Sequence, residues 1–209
     1  PVDLPDPILD KVSMSVDKDR NQPVWITIYV PKDTQPGAYV GKIEITGDGV
    51  TSYIPVKINV RKFTLPDDRT LQITNWFSPN NITKWHRIGA LSDRYWRVLE
   101  NYASIMAEHR QNVIITHNLE LIQGRDDGKG KLTFDFTNFD RWVELFIKAG
   151  VIGTIEGGHF GGRREWTAPD FDARWPRITL PDGTAKPTPS VKVTSEEYRA
   201  FLAQYLPAL

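Results

Sequence analysis

Apolar and polar residues alternate along much of the first third of the chain. Residues 24–30 place Val, Ile, Ile and Val at every second position, and the same alternation recurs over residues 39–45 and 54–60. A period of two is typical of a strand with one buried face. Residues 47–49, Gly-Asp-Gly, supply a tight reversal between the last two strands, and residues 12–16 form a candidate earlier strand. We therefore predict an antiparallel β-meander.

The pattern changes after the Leu-Pro-Asp-Asp segment at residues 65–68. From there apolar residues at three-to-four spacing predict helices, and short apolar runs predict strands. Ser92 and Asn138 are the predicted caps of the first two helices, Gly150 ends the second, and residues 194–197 form a capping box that opens a third. The predicted strands are residues 71–76, 112–116 and 151–155.

This order of elements, β-α-β-α-β-α, predicts parallel strands joined by crossovers. The long connections, residues 75–91, 117–136 and 156–192, all leave the carboxyl ends of strands, as in a (β/α) barrel. A closed barrel needs eight such units in about 250 residues, and this chain has three. We therefore expect a β-sandwich domain over residues 1–65 and the amino-terminal part of a (β/α)8 TIM-type barrel over residues 66–209, within a longer polypeptide. The alternative is a complete small open α/β domain.

Candidate chemistry concentrates in residues 155–164, where four glycines surround a carboxylate, an imidazole and two guanidinium groups. Glycine allows the backbone to approach a ligand closely, and Glu156, His159 and Arg163 supply groups that bind a polar molecule. This composition favours a binding site in the loop after the third strand. The alternative is a flexible loop whose charges are simply solvated.

Polar and aromatic side chains also follow the other predicted strands, so they are expected to line one rim. An aromatic face together with amide, imidazole, guanidinium and carboxylate groups is what a hexose requires. Taken singly, each aromatic residue is equally compatible with loop packing. The predicted substrate-binding residues are Asn75, Trp76, His117, Asn118, Glu156, His159 and Arg163.

Glycoside hydrolysis usually needs two carboxylates, and Glu156 is the best single candidate for an acid or base. Glu120 and Asp127 lie in or beside a glycine-rich segment that is more simply a solvated turn. His117, Glu156 and His159 have the ligand types of zinc but no supporting spacing, so no metal is predicted. The motifs of serine hydrolases, kinases and dinucleotide-binding enzymes are absent from the sequence, and no cofactor is expected.

Charge and composition restrict the classes of molecule that this protein is expected to bind. Lys plus Arg and Asp plus Glu are equal at 26 each, so no net field attracts nucleic acid or an anionic membrane surface. The sequence contains no cysteine, which excludes disulfides and thiolate chemistry. Its apolar runs are all shorter than the about 20 residues needed to cross a bilayer. The polar and aromatic rim residues make a glycan the expected partner, and the oligomeric state is left open.

Four segments together resemble bacterial glycosidase-like proteins related to glycoside hydrolase family 123. They are residues 31–45 with Pro-Gly-Ala-Tyr-Val-Gly at 36–41, Asn-Trp-Phe at 75–77, residues 139–150, and Glu-Gly-Gly-His at 156–159. The resemblance implies a β-sandwich ahead of a (β/α)8 barrel, an extracytoplasmic location, and action on β-linked N-acetylgalactosamine by substrate-assisted retention. It also implies a catalytic Asp-Glu pair at the end of the fourth barrel strand. This sequence contains no Asp-Glu pair, so the dyad is expected after Leu209.

Three functions remain open at this point. The first is a glycoside hydrolase, or a close relative, acting on glycans that contain β-linked N-acetylhexosamine. The second is a noncatalytic carbohydrate-binding protein that uses the same barrel rim. The third is a structural protein that uses the fold only to present loops, since a fold alone does not confer activity.

Overall fold

The structure is a computed structural model that describes residues 13–151 and 153–209. The chain divides between Asp67 and Asp68 into two compact units. None of the described helices is long and apolar enough to span a membrane.

The first unit contains a β-hairpin. Strand β1 is Gly37–Gly47 and strand β2 is Val50–Val60, paired antiparallel so that Tyr39 lies opposite Ile58. The turn between them places Asp48 and Gly49 at positive φ, 48° and 77°, which glycine adopts without strain and aspartate tolerates. These two strands and their reversal confirm the sequence prediction.

The other strand predictions for this unit are wrong. Residues 24–30 have no regular secondary structure, and the apolar side chains of this segment are exposed. Met14 and Val16 likewise lie outside any strand, and Val12 falls outside the described residues. Alternation fixes which side chains share a face, but a strand also needs a neighbouring backbone to pair with. The described part of this unit is a hairpin rather than a meander, and the sandwich stays a prediction.

The second unit combines five helices with seven short strands among its described residues. The bounds are α1 Pro79–His86, α2 Asp93–Glu108, β3 Val113–Thr116, α3 Asn118–Leu121, β4 Gln123–Asp126, β5 Leu132–Asp135, α4 Thr137–Lys148, β6 Thr154–Gly157, β7 Gly161–Gly162, β8 Asp172–Ala173, β9 Ile178–Thr179 and α5 Glu196–Tyr205.

The parallel pairing expected from the element order is confirmed for β3 and β6, in which Ile115 lies beside Glu156. Residues 71–76 form no regular strand, contrary to the prediction. They nevertheless run beside β3, because the Ile73 carbonyl accepts from the backbone N–H groups of Asn112 and Val113. Two contacts at one residue are too few for a ladder, so this segment is extended without strand pairing.

The chain between these elements is more structured than the predicted long loops. Strand β4 lies between β5, its antiparallel partner, and β9, its parallel partner. Strands β7 and β8 form a second small antiparallel pair. The segment 123–130 is therefore partly a hairpin strand, not only a solvated turn.

Local signals placed the helix ends to within two residues. The Ser92 hydroxyl accepts from the Tyr95 backbone N–H, as predicted, and Gly150 takes the left-handed φ of 77° after α4. Helix α4 begins at Thr137 instead of being capped by Asn138, because the Asp135 carboxylate accepts from the Thr137 N–H at 2.9 Å. Helix α5 is capped by Ser195, one residue later than the start of the predicted capping box.

Two apolar cores hold the second unit together. The first lies between β3, α2 and α4 and includes Trp96, Leu99, Ile114, Trp142 and Phe146. The second core packs α5 against the 119–136 region and the loop after β6. Its buried members are Leu119, Ile122, Tyr198, Phe201 and Tyr205. Because helices α2 and α4 cover one face of the parallel pair β3 and β6, the carboxyl ends of these strands are available for a site.

Arg69 connects the ends of several elements in the second unit. Its guanidinium donates to the backbone carbonyls of Gln111 and Gly150, both at 2.8 Å, and of Ala107 at 3.0 Å. Ala107 is in the last turn of α2, and Gly150 follows α4. A cation at two helix carboxyl ends satisfies carbonyls that the helices leave unpaired and opposes their negative partial charge.

Candidate carbohydrate site at the strand ends

Glu156, on β6, is the centre of a side-chain cluster at the carboxyl end of the parallel pair. Its Oε2 accepts from the Trp76 indole Nε1 at 3.0 Å and from the Thr74 hydroxyl at 3.2 Å. The His159 ring packs edge-on against Trp76, with centroids 5.4 Å apart. Trp76 and Glu156 were expected to face the same cavity, and their side chains do meet. The segment that carries Trp76, residues 71–76, is nevertheless not a regular strand.

The backbone explains this geometry. Thr74 and Trp76 are two residues apart on an extended segment, so their side chains emerge on one face. Both donors reach the same carboxylate oxygen of Glu156, and Oε1 has no partner among the described residues. Trp76 is 59% exposed. The cluster therefore presents an open aromatic surface beside an unused acceptor.

Gly158 lets the chain after β6 approach the end of β3 closely, whereas Gly157 leaves room for an ordinary van der Waals contact. A methyl group at Gly158 would lie 3.1 Å from the Thr116 carbonyl oxygen and 3.3 Å from the His117 Cα. A methyl group at Gly157 would contact the Asn118 side chain at 3.7 Å. The glycine-rich segment after β6 is thus used for close backbone packing against the end of β3, a role of glycine that sequence reasoning assigned to ligand approach.

The residues after β3 lie beside this cluster but make different contacts. His117 Nε2 lies 3.3 Å from the Phe77 carbonyl oxygen, and the ring sits edge-on to Trp142. Asn118 is buried, and its Oδ1 has no hydrogen-bond partner within the described residues. Asn75 turns away from Glu156 and donates to Gln111 Oε1 at 3.4 Å. Of the seven predicted binding residues, the structure groups Trp76, Glu156 and His159 most tightly.

Arg163 makes no contact with Glu156. Its guanidinium lies over the Phe171 ring, 4.5 Å from the centroid, and donates to the Trp166 carbonyl at 3.0 Å. These contacts link residues within the loop between β7 and β8 and stabilise its conformation.

A cavity of about 260 Å³ opens on the same side of the strand pair. From the sequence, His117 was predicted to bind substrate and Glu120 was placed in or beside a solvated turn, whereas Tyr95 and Arg174 were not predicted as site residues. Tyr95 is one of the buried apolar residues of α2, and Arg174 lies just after β8 within the predicted connection 156–192, where no motif marks it. The lining residues are Ser78, Pro79, Asn80, Thr83, Ala90, Leu91, Tyr95, His117, Glu120, Leu121 and Arg174.

Two tyrosines of the second unit, Tyr95 and Tyr205, have strongly raised pKa values. Burial raises the pKa of Tyr95 to about 12. Burial also raises the pKa of Tyr205 to about 12, with a smaller contribution from the Glu120 charge. Both phenols therefore stay protonated at neutral pH. Within the described residues, no group of three or more His, Asp or Glu side chains is arranged to hold a metal ion.

Residues 76–209 match the sequence model of the glycoside hydrolase 123 catalytic domain, and residues 2–47 match that of the glycoside hydrolase 123 N-terminal domain. The first match covers more than half of the 209 residues. The chain belongs to glycoside hydrolase family 123. The resemblance stated from the sequence is thereby confirmed.

A solved structure supports the fold of this family 123 chain. It belongs to a family 123 glycoside hydrolase from Clostridium perfringens, studied for the details of glycolipid glycan hydrolysis. The TM-score is 0.62 at 18% sequence identity, over 85% of this chain and 34% of that one. This chain therefore spans about a third of the length of that enzyme, and the likeness establishes a mixed sheet and helix fold. No curated protein matches the chain.

Proposed function

We propose that this chain carries part of the substrate-binding rim of a glycoside hydrolase acting on glycans that contain β-linked N-acetylhexosamine. The observation that carries the proposal is the Glu156 cluster, in which Trp76 and Thr74 donate to one carboxylate oxygen and leave the other open. An exposed aromatic face beside a fixed acceptor suits the C–H surface and hydroxyls of a sugar. Family membership supports the same reaction class.

In the proposed mechanism, the 2-acetamido oxygen of the substrate attacks the anomeric carbon while the glycosidic bond breaks and the leaving oxygen takes a proton from the acid residue. Water then opens the cyclic intermediate at the anomeric carbon, so the product retains its configuration. The resemblance to the family implies an adjacent catalytic Asp-Glu pair, in which the Asp orients the acetamido group and the Glu is the acid/base. This sequence contains no such pair, so the role proposed for Glu156 is to bind and orient sugar. Residues 1–65 are proposed as a β-sandwich domain and residues 66–209 as the first part of a (β/α)8 barrel. Asn75, His117, Asn118, His159 and Arg163 are proposed as further binding residues of the rim.

The binding role is tested by substitutions in the complete natural polypeptide. Replacing Trp76 by Ala removes the aromatic face and should weaken glycan binding by about two- to tenfold, since such stacking is worth about 0.5–1.5 kcal/mol. Trp85→Ala is the matched control, because Trp85 is 73% exposed on α1 and outside the cluster. Equal losses for the two variants would contradict the proposal.

The assignment of chemistry is tested separately. Glu156→Gln keeps the shape of the side chain and should weaken binding while leaving turnover of an aryl β-N-acetylgalactosaminide measurable. Loss of all turnover with intact binding would make Glu156 the acid and overturn the assignment. Substrate assistance predicts no turnover of the aryl β-galactoside, which lacks the acetamido group. Glycan binding by the wild-type polypeptide without turnover of any glycoside would favour the noncatalytic carbohydrate-binding alternative.

A further inference from the structure

Thr74 lies outside the set of predicted binding residues, yet its side chain contacts Glu156. The Thr74 hydroxyl donates to Glu156 Oε2 at 3.2 Å, and the Trp76 indole donates to the same oxygen at 3.0 Å. The two lone pairs of a carboxylate oxygen lie close to the carboxylate plane. One donor therefore leaves the carboxylate free to turn, whereas two donors to one oxygen fix its plane. The Thr74 hydroxyl adds this second donor.

The segment that carries Thr74 is anchored to the start of β3 by its backbone. The Ile73 carbonyl accepts from the backbone N–H groups of Asn112, at 3.2 Å, and Val113, at 3.1 Å. The Ile73 N–H donates to Asn112 Oδ1 at 2.8 Å. Both polar backbone groups of Ile73 are thus bound, and Thr74 follows directly. The hydroxyl of Thr74 is therefore presented from a fixed backbone.

The contact between Thr74 and Glu156 passes over β3, because β3 lies between the Thr74 segment and β6. Neighbouring strands are about 4.8 Å apart, so the two outer segments are about 10 Å apart. A threonine side chain spans little of that distance, so the three segments curve toward this face. Ile115, in register beside Glu156, is only 3% exposed, as expected if side chains from both neighbours close over it.

A second bridge lies on the same face, one layer further from the strand ends. Gln72 Nε2 donates to the Thr154 hydroxyl at 3.4 Å. Gln72 and Thr74 are two residues apart on the extended segment, and Thr154 and Glu156 are two residues apart on β6, so both bridges share one face. The bridge at Thr154 does not involve the Glu156 carboxylate, so it provides a matched comparison.

We propose that Thr74 is a positioning residue for sugar binding, whose hydroxyl bridges over β3 and fixes the Glu156 carboxylate so that Oε1 faces the ligand beside Trp76. Oε1 has no partner among the described residues and can accept from a hydroxyl or amide N–H of the sugar. Thr74 acts through Glu156 and does not touch the sugar itself. This inference rests on the proposed function.

A double-mutant cycle in the complete natural polypeptide tests the inference. The probe is the methyl β-thioglycoside of N-acetylgalactosamine, which resists hydrolysis, and its binding is measured by calorimetry. Thr74→Val keeps the shape of the side chain but removes the donor, and should weaken binding about two- to tenfold, the range for one hydrogen bond. In a Glu156→Ala background the same change should have no further effect, because the carboxylate on which Thr74 acts is gone.

Two further variants separate positioning from a merely structural role. Thr74→Ser restores the hydroxyl and should recover most of the affinity that Thr74→Val loses. Thr154→Val removes the hydroxyl of the other bridge and should leave the affinity unchanged. Thr74 is exposed, so the thermal midpoints of its variants should stay close to that of the wild type.

Each outcome supports or overturns the positioning role. Unchanged affinity in Thr74→Val, an equal loss in the Glu156→Ala background, an equal loss in Thr74→Ser, or the same loss in Thr154→Val overturns it and leaves the proposed function standing. Failure of the wild type to bind the probe overturns the proposed function, and the positioning role with it.

Discussion

Both units of this chain have regularly spaced apolar residues, but only the second unit buries them among the described residues. All buried side chains among the described residues belong to the second unit, and none of the described residues from 13 to 67 is buried. In the second unit, helix faces cover the parallel strand pair on one side. In the first, the hairpin has an apolar face that includes Ile43, Ile54 and Val56, and the described residues of this unit form no second layer over it. Alternating apolar residues give a strand one apolar face, but that face becomes a core only when another layer of secondary structure packs against it.

The largest expected effect is the difference in stability between a substitution in the buried core of the second unit and one on the exposed hairpin of the first. Trp142 is fully buried in the first core, where its ring stacks on Phe77 and contacts Phe146. Trp142→Ala should lower the free energy of unfolding of the second unit by about 3–5 kcal/mol, measured by urea denaturation. Ile45→Ala, at a position 51% exposed in the hairpin, should change stability by no more than about 0.5 kcal/mol. Similar losses for both variants would mean that the hairpin face is covered.

An intermediate effect is expected at Arg69, which stabilises the second unit without apolar burial. Arg69→Met keeps the aliphatic stem but removes three hydrogen bonds to the carbonyls of Ala107, Gln111 and Gly150. The thermal midpoint should fall by an amount equivalent to about 1.5–3 kcal/mol, the range for hydrogen bonds from charged groups. Arg97→Met, on the exposed side of α2, is the control and should leave the midpoint nearly unchanged. A fall of the same size in both would assign the effect to charge alone.

The smallest effect is a pH dependence confined to the second unit. A hydrogen bond from Lys186, at 2.7 Å, lowers the pKa of the Asp126 carboxyl, and the Gly128 backbone N–H lowers it further. Because the folded pKa lies below the unfolded value of about 3.9, this pair stabilises the fold above that value and loses its effect as the pH falls through the folded pKa. Asp126→Asn should flatten the decline of stability below pH 4 in acid titrations followed by circular dichroism. Asp33→Asn, in the first unit, should leave that decline intact, and an unchanged profile in Asp126→Asn would contradict the assignment.

Local signals in the sequence were enough to predict most of the helix ends in the second unit. Ser92 and Gly150 bound their helices because a cap and a left-handed residue act on backbone groups within a few positions. Helix α1 was missed, since its Pro-Asn-Asn start read as part of a loop. Proline in the first turn is in fact compatible with a helix, where its missing N–H costs nothing.

Pairing between distant segments was less predictable. Residues 24–30 have the right alternation for a strand, yet whether they become one depends on a partner that the alternation does not specify. The candidate site shows the same limit. The meeting of Glu156 and Trp76 follows from their places at the ends of predicted strands. Arg174 reaches the cavity from the position just after β8, and no short-range sequence pattern indicates that short strand.

The packing of Gly158 against the end of β3 also limits how this rim can be redesigned. The atoms that a side chain at this position would meet are backbone atoms of Thr116 and His117, which move only if the strand itself moves. Sequence variation that alters glycan preference is therefore expected at His159 and Arg163, whose side chains are exposed, while a side chain at position 158 would require the backbone at the end of β3 to shift by a few tenths of an ångström. A library built to change specificity should diversify the two exposed positions and hold the glycine constant.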